Sequence, residues 1–321
     1  MRVVVTGASG FLGSWICRVL AHKHEVIALV RPTSDTYRLG GIHNLEIAAV
    51  ENSGWASYVA TEQPDALILT DWWGVGNHDR NDEHQFDNIE RMEHLAKAAR
   101  DAGVGILIGV GSHAELGPVA EGITEDLRDN PTTKYGAAKV ATRKAMQEIL
   151  EGSPTRFVWM RIFSTYGPSD TGPWLIPLLV DNLSRGETME LTKCEQEWSY
   201  LHAFDLARAF QAVIESGTIS DIVNVGNPHT LILKNVVNKI ADELGAEKLL
   251  DIGALPYRPD QVMKLEPMCE SLTAIGWEPV VAFDDGIKQT IDWLLHKELE
   301  PLHCEDGAEV VFNLPSRRKI S

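Results

Sequence analysis

Tyr135 and Lys139 stand four residues apart. On a helix that spacing puts both side chains on one face, one turn apart. A free tyrosine, with a pKa of about 10, exchanges protons poorly near neutrality. A nearby ammonium favours the phenolate and lowers that pKa. The pair could then pass a proton to or from a substrate alcohol or carbonyl. Tyr-x-x-x-Lys alone is a weak signal, because an exposed helix carries the same spacing by chance. Ser112 strengthens it, since it follows Gly111 at the end of a run that begins Ile106-Leu107-Ile108 and reads as a strand. In open α/β sheets ligands bind beyond the carboxyl ends of the strands, where a hydroxyl can hold a reacting oxygen.

A second chemical feature opens the chain: Val3-Val4-Val5-Thr6-Gly7-Ala8-Ser9-Gly10-Phe11-Leu12-Gly13. Three β-branched residues predict a short buried strand. Glycines at 7, 10 and 13 then turn the chain into residues 15–22, whose Ile16, Val19 and Leu20 fall on one helical stripe. A strand, a Gly-rich turn and a helix N-terminus make an anion site, with backbone N–H groups and the helix dipole aimed at one spot. Because the pattern starts at residue 3 and opens an α/β array, it points to a dinucleotide held by Gly7, Ser9, Gly10, Phe11, Leu12 and Gly13. An acidic residue at the end of the second strand would suit the 2′-hydroxyl of NAD, and an arginine the 2′-phosphate of NADP. Here that strand ends Leu29-Val30-Arg31, with Ser34 and Arg38 close behind, so NADP(H) is the expected cofactor.

The elements that must position these groups alternate. Strands are expected at 24–30, 45–50, 65–69, 106–108, 157–162 and 222–225. Helices are expected at 85–102, 135–150, 175–183, 205–215, 233–244 and 283–295, with Gly103 ending the first of these and Asp205 capping the fourth. Strands alternating with helices imply an α/β fold, a Rossmann-type doubly wound parallel sheet with right-handed crossovers. The character changes after Phe163, where 164–174 is rich in Gly, Pro, Ser, Thr and Asp and reads as a loop.

Composition narrows the function. The formal net charge of −17 makes nucleic acid an unsuitable partner. Cys17, Cys194, Cys269 and Cys304 are far apart and form no CxxC pair, which argues against a zinc site or disulfide framework, and no metal is expected. No apolar run has the length of a membrane span, and Met1 leads straight into the first strand, so a cytoplasmic location is expected. The basic stretch 316–319 reads as a solvated tail.

Together the motifs resemble those of extended short-chain dehydrogenases/reductases of the NAD-dependent epimerase/dehydratase type, over about residues 1–295. The resemblance rests on Gly7-x-x-Gly10-x-x-Gly13, on Ser112 before Glu115-Leu116-Gly117, and on Tyr135-x-x-x-Lys139. It also rests on Arg161 to Pro168, Trp198 to Ala207, Asn224-Val225-Gly226 and Arg258-Pro259-Asp260. It implies that Tyr135 is the catalytic acid/base, that Lys139 binds the nicotinamide ribose and tunes Tyr135, that Ser112 bonds the sugar oxygen, and that Asn88 stands near the site. It further implies a nucleoside-diphosphate sugar as substrate and a homodimer through helices 85–102 and 135–150. By the same resemblance, 1–163 with 203–227 form the dinucleotide-binding domain, 164–202 with 228–304 a smaller substrate-binding domain, and 305–321 a tail.

Three departures bear on the substrate. Ser164 stands where the family has Asn, Trp198-Ser199 where it has Arg-Asp, and Leu116 where Tyr is common. Two phosphates call for charge-assisted donors, so Arg258 and then Lys193 become the expected diphosphate ligands, with Trp198 stacking on base or sugar. His113 and Ser164 complete the expected substrate contacts. The dehydratase relatives carry an Asp-Glu pair after the active-site hydroxyl; here His113 and Ala114 take those positions and Glu115 is displaced by one. That favours an NADPH-dependent 4-ketoreductase of a 4-keto-6-deoxyhexose. An epimerase or dehydratase with retained NAD(P), a reductase of flavonoid-like ketones, and a non-catalytic NADP-binding sensor are the alternatives. Trp72 and Trp73 follow the fourth strand in a loop that could cover the cofactor.

Overall fold

The computed structural model describes residues 1–119, 122–219, 221–258, 261–296, 302–303, 309–310 and 314–315. Pro259, Asp260, Cys304, the basic stretch 316–319 and most of the tail lie outside the described residues. In chain order come β1 (Arg2–Thr6), α1 (Phe11–Leu20), β2 (Glu25–Val30), β3 (Leu45–Ala49), α2 (Trp55–Glu62), β4 (Ala66–Leu69), α3 (Asp87–Asp101), β5 (Ile106–Ser112), α4 (Lys134–Leu150) and β6 (Arg156–Ile162). The chain continues through β7 (Ser164–Tyr166), α5 (Leu175–Ser184), β8 (Met189–Leu191), β9 (Glu197–His202), α6 (Ala203–Ser216), β10 (Asp221–Val225), β11 (Thr230–Ile232) and α7 (Leu233–Leu244). It then forms β12 (Leu250–Ile252), β13 (Lys264–Leu265), α8 (Glu270–Ala274) and α9 (Phe283–Leu294).

Seven strands form one parallel sheet in the order β3-β2-β1-β4-β5-β6-β10. Both faces are covered. Val3 and Val5 pack with Trp15, Ile16 and Leu20 of α1 and with Leu206, Phe210 and Val213 of α6. Val4, pointing the other way, packs with Val59 of α2, Met92, Leu95 and Ala99 of α3, and Met146 and Leu150 of α4. A strand buried on both faces must be apolar throughout, which is why β1 reads as a continuous β-branched run. The chain builds outward from β1 to β3 and then crosses to β4. The order therefore reverses at β1, and its carboxyl end is the crevice where doubly wound sheets bind ligands.

A third core joins α5, α7 and α9 beneath β7, β8 and β9, centred on Leu179, Val180, Val236, Ile240, Ile291 and Trp293. Three local expectations are corrected. The loop expected at 164–174 begins with a strand, since β7 pairs in register with β9, Ser164 opposite Tyr200. Asp205 does not cap α6. Because β9 runs directly into that helix, it starts two residues earlier, and His202 accepts the Phe204 N–H at 3.2 Å. Asp205 instead lies buried in the first turn and accepts from the N–H groups of Val280 and Val281 at 3.1 and 2.9 Å. Helix α2 was not expected, because only Trp55 and Val59 of its eight residues are buried, too few to print a helical period. Among the described residues, no helix is long and apolar enough to cross a membrane.

Candidate active site

The crevice is built by close backbone approaches. Gly7 takes a φ of +63°, and a Cβ there would stand 2.6 Å from the Asp71 nitrogen and 2.7 Å from Thr70 Oγ1. A Cβ on Gly13 would stand 2.4 Å from the Gly7 carbonyl oxygen. Only glycine allows this turn, and the turn brings the loop after β1 against the loop after β4. Gly10 caps α1 with no side-chain hydrogen bond, so the first N–H groups of the helix have no competing side-chain acceptor. The surroundings of Gly7, Ser9, Gly10, Phe11, Leu12 and Gly13 thus fit an anionic group such as a dinucleotide pyrophosphate.

Farther along the carboxyl edge, Ser112 ends β5 and its hydroxyl accepts the Ala114 N–H at 3.2 Å. Helix α4 starts at Thr133, whose side chain accepts the Gly136 N–H at 3.1 Å. A Cβ on Gly136 would stand 2.2 Å from the Ala114 carbonyl oxygen. That glycine lets α4 lie directly on the 113–115 turn and brings Tyr135 beside Ser112. The sequence reading missed Gly136; its only signal was a glycine just inside a helix start.

The electrostatics differ from the expected lowering of Tyr135. Burial raises the pKa of Tyr135, the adjacent Ser112 hydroxyl and the Arg80 charge oppose that rise, and Glu115 adds to it. Lys139 is 3% exposed, and burial brings it down to about 7 against the pull of Glu115 and Asp71. Its ammonium donates to the Val110 carbonyl at 2.8 Å and lies 3.5 Å from the centre of the Trp72 ring. Trp72 in turn is fixed by an indole hydrogen bond to Gln85 at 2.8 Å, and its ring meets Tyr135 edge to face. Trp72 therefore covers the lysine, while Trp73 stays exposed.

Glu115 is fully buried and turned inward. Its carboxylate accepts from Ser112 N–H at 2.7 Å and Trp159 Nε1 at 3.0 Å, and Arg161 stands 3.6 Å away. The one-residue offset noted in the sequence thus sends this acid into the core. His113 beside it is brought down to about 4 by burial and by Arg80, so it is neutral at ordinary pH.

The remaining expected residues are spread more widely. Asn88 is buried, but its side chain accepts from Trp73 N–H at 2.9 Å and Arg91 at 2.8 Å and donates to the Trp73 and Gln85 carbonyls. It pins the 72–73 loop. Arg38 donates to the carbonyl of Ser169 at 3.0 Å and to Thr171 Oγ1 at 2.7 Å, tying the neighbourhood of Ser9 to the segment after β7. Arg31 is exposed at the end of β2, with Ser34 closing a turn onto its carbonyl at 3.0 Å. Ser164 is half-buried in β7. Trp198 packs with Leu116, Ile123, Phe163 and Leu265 and donates to the Val262 carbonyl at 3.0 Å. Lys193 and Arg258 are exposed. Among the described residues, no group of three or more His, Cys, Asp or Glu side chains is placed to hold a metal ion.

A doubly wound sheet with a glycine cradle at its switch point and a Ser–Tyr–Lys set beside it defines a dinucleotide-dependent class. The model of the NAD dependent epimerase/dehydratase family matches residues 3–226, and the chain belongs to that family. The resemblance carried by the motifs therefore holds. Mouse dTDP-D-glucose 4,6-dehydratase is 24% identical, over 91% of this chain and 88% of that protein. An Escherichia coli dTDP-4-dehydro-6-deoxyglucose reductase is 24% identical over 50% of this chain and 52% of its own length. The Thermus thermophilus UDP-glucose 4-epimerase, solved with NAD, shares the fold with a TM-score of 0.81 and 23% identity, over 92% of this chain and 99% of that one.

Proposed function

We propose that the protein is an NADPH-dependent reductase of a nucleoside-diphosphate 4-keto-6-deoxyhexose, acting at C4. The observation that carries this reading is the carboxylate of Glu115 consumed inside the core, which leaves Tyr135, beside Ser112, as the proton-exchanging group. Removing water across C5 and C6 needs a further acid and base, and neither neutral His113 nor inward Glu115 supplies them. Reducing a ketone needs only a hydride at carbon and a proton on oxygen. A bound nicotinamide supplies the hydride. Ser112 accepts from Ala114 and keeps its own proton to hold the carbonyl oxygen. Tyr135, raised by burial, stays protonated near neutrality, which is the form a proton donor needs.

The nucleotide-sugar class is supported by the substrates in the names of the mouse and Escherichia coli relatives. NADPH is supported by Arg31, which has no ion-pair partner among the described residues at the end of β2. In this reading the sugar lies between the sheet and the region of 164–202 and 228–304, Arg258 meets the diphosphate, and α3 and α4, packed side by side, form a homodimer face.

Two titrations check the ligands. Arg31→Ala should lose most of its preference for NADPH over NADH, and tighter NADH binding by the wild type would move the choice to NAD. Arg258→Ala should raise KM with cofactor affinity unchanged; an unchanged KM would move the diphosphate elsewhere. The reaction itself is tested with NADPH deuterated at nicotinamide C4 and a nucleotide 4-keto-6-deoxyhexose. Deuterium should appear at sugar C4. A nucleotide hexose turned into its 4-keto-6-deoxy form would show a dehydratase instead.

A further inference from the structure

Trp72 follows β4 and belongs to none of the motifs. The strand order β1-β4-β5 sets it between the glycine cradle and Ser112, Tyr135 and Lys139. Its loop holds the indole in place. Trp72 Nε1 donates to Gln85 Oε1 at 2.8 Å, and the fully buried Gln85 donates in turn to the Gly74 carbonyl at 2.6 Å and the Asp79 carbonyl at 3.1 Å. Asn88 grips the next residue from α3, accepting the Trp73 N–H at 2.9 Å. The ring is thereby fixed with the Lys139 ammonium over its face, 3.5 Å from its centre.

Little else keeps Lys139 charged. From β5 the Val110 carbonyl accepts from its ammonium at 2.8 Å. Glu115, in the turn after β5, and Asp71, at the end of β4, pull for the charged form, and Arg91 of α3 acts against it. Both acids are matched elsewhere. Asp71 accepts from Arg91 at 2.9 Å. Glu115 accepts from Trp159 at 3.0 Å, with Arg161 and Arg143 standing 3.6 and 3.9 Å away. Tyr135, on the same helix, has its ring centre 5.8 Å from the ammonium. Burial brings Lys139 to about 7, so a contact worth about 1 pH unit decides its charge near neutrality.

Trp72 acts on this lysine in two opposed ways. Its bulk keeps water off, which favours the neutral amine. Its ring face attracts a cation more strongly than that of any other aromatic side chain, and more so where water is excluded, which favours the ammonium. We propose that the second effect prevails, and that Trp72 is a positioning residue whose indole holds Lys139 as an ammonium. That is the form in which Lys139 can serve a ribose hydroxyl as donor and Tyr135 as a neighbouring charge.

The inference rests on the site proposed above, but its test needs no turnover. Fluorine withdraws electrons from an indole face and nearly preserves its shape, so it weakens the attraction and leaves the exclusion of water as it was. Mono-, di- and trifluorinated tryptophans are placed at position 72 of the full chain, together with carbon-13-labelled lysine. The Lys139 signal is identified by its loss in Lys139→Arg, and its pH midpoint is followed by NMR. The midpoint should fall with each added fluorine, by about 1 pH unit for the trifluorinated ring. The same series at Trp73, whose ring is exposed, should leave the midpoint in place. A midpoint that fails to fall with fluorines at position 72, or that falls equally with fluorines at position 73, overturns the assignment. Either result can arise while deuterium still reaches sugar C4, and a failed deuterium transfer leaves the titration intact, so the two readings fail separately.

Discussion

At the scale of single residues, the proposed reduction rests on the hydroxyls of Tyr135 and Ser112. Tyr135 and Ser112 are each 9% exposed, and the neighbouring acid is spent on Trp159 and the Ser112 backbone. Tyr135→Phe keeps the ring against Trp72 and Arg80 but removes the proton. It should bind NADPH nearly as well as the wild type and lose turnover by about 10²–10⁴-fold, the usual worth of general acid–base help. Turnover close to wild type would remove Tyr135 from the mechanism. Tyr135, Lys139 and Ser112 were legible in the sequence because their spacing encodes a helix face and a strand end. Arg80 was not, because its link to Tyr135 spans 55 positions and no local pattern carries it. The lowering of Tyr135 by Lys139 was expected from proximity alone; burial pushes the phenol the other way.

At the scale of elements, the site is positioned by contacts that admit no Cβ. Gly13 in α1 lies on the Gly7 carbonyl, and Gly136 in α4 lies on the Ala114 carbonyl. Gly13→Ala would put a methyl 2.4 Å from backbone oxygen, with no side chain able to yield. The helix must then shift, at a cost of about 1–3 kcal/mol, read as a lower urea midpoint together with weaker NADPH binding. A variant with unchanged stability and affinity would mean that α1 does not need this approach. The parallel strands were legible because burial on both faces makes them continuous apolar runs. The start of α6 was not, since Asp205 looks like a cap while His202, the last residue of a strand, does the capping.

At the scale of the whole molecule, buried His202 and half-buried His113 link folding to pH. Burial brings His202 down to about 3 and His113 to about 4, from an ordinary 6.5. Below about pH 6.5 the unfolded chain takes up protons that the folded chain refuses, so these residues make stability fall as pH falls and rise as pH rises through that window. His202→Asn keeps an acceptor for the α6 N-terminus and removes the titration. Its urea midpoint should therefore drop less than that of the wild type between about pH 7.5 and about pH 5; an equal drop would place the acid sensitivity elsewhere. The family was legible from motifs scattered over the chain, because each marks a backbone approach or a helix face. The proposed reaction was less so, since the argument for reduction over dehydration rests on the direction in which Glu115 points, and that depends on Trp159 and Arg161 some 45 residues away. The most direct test of the account is the stoichiometry of a single turnover mixture holding the purified protein, NADPH and a nucleotide 4-keto-6-deoxyhexose. One NADPH should be oxidised for each 4-hydroxy product formed, whereas sugar conversion with no net loss of NADPH would contradict it.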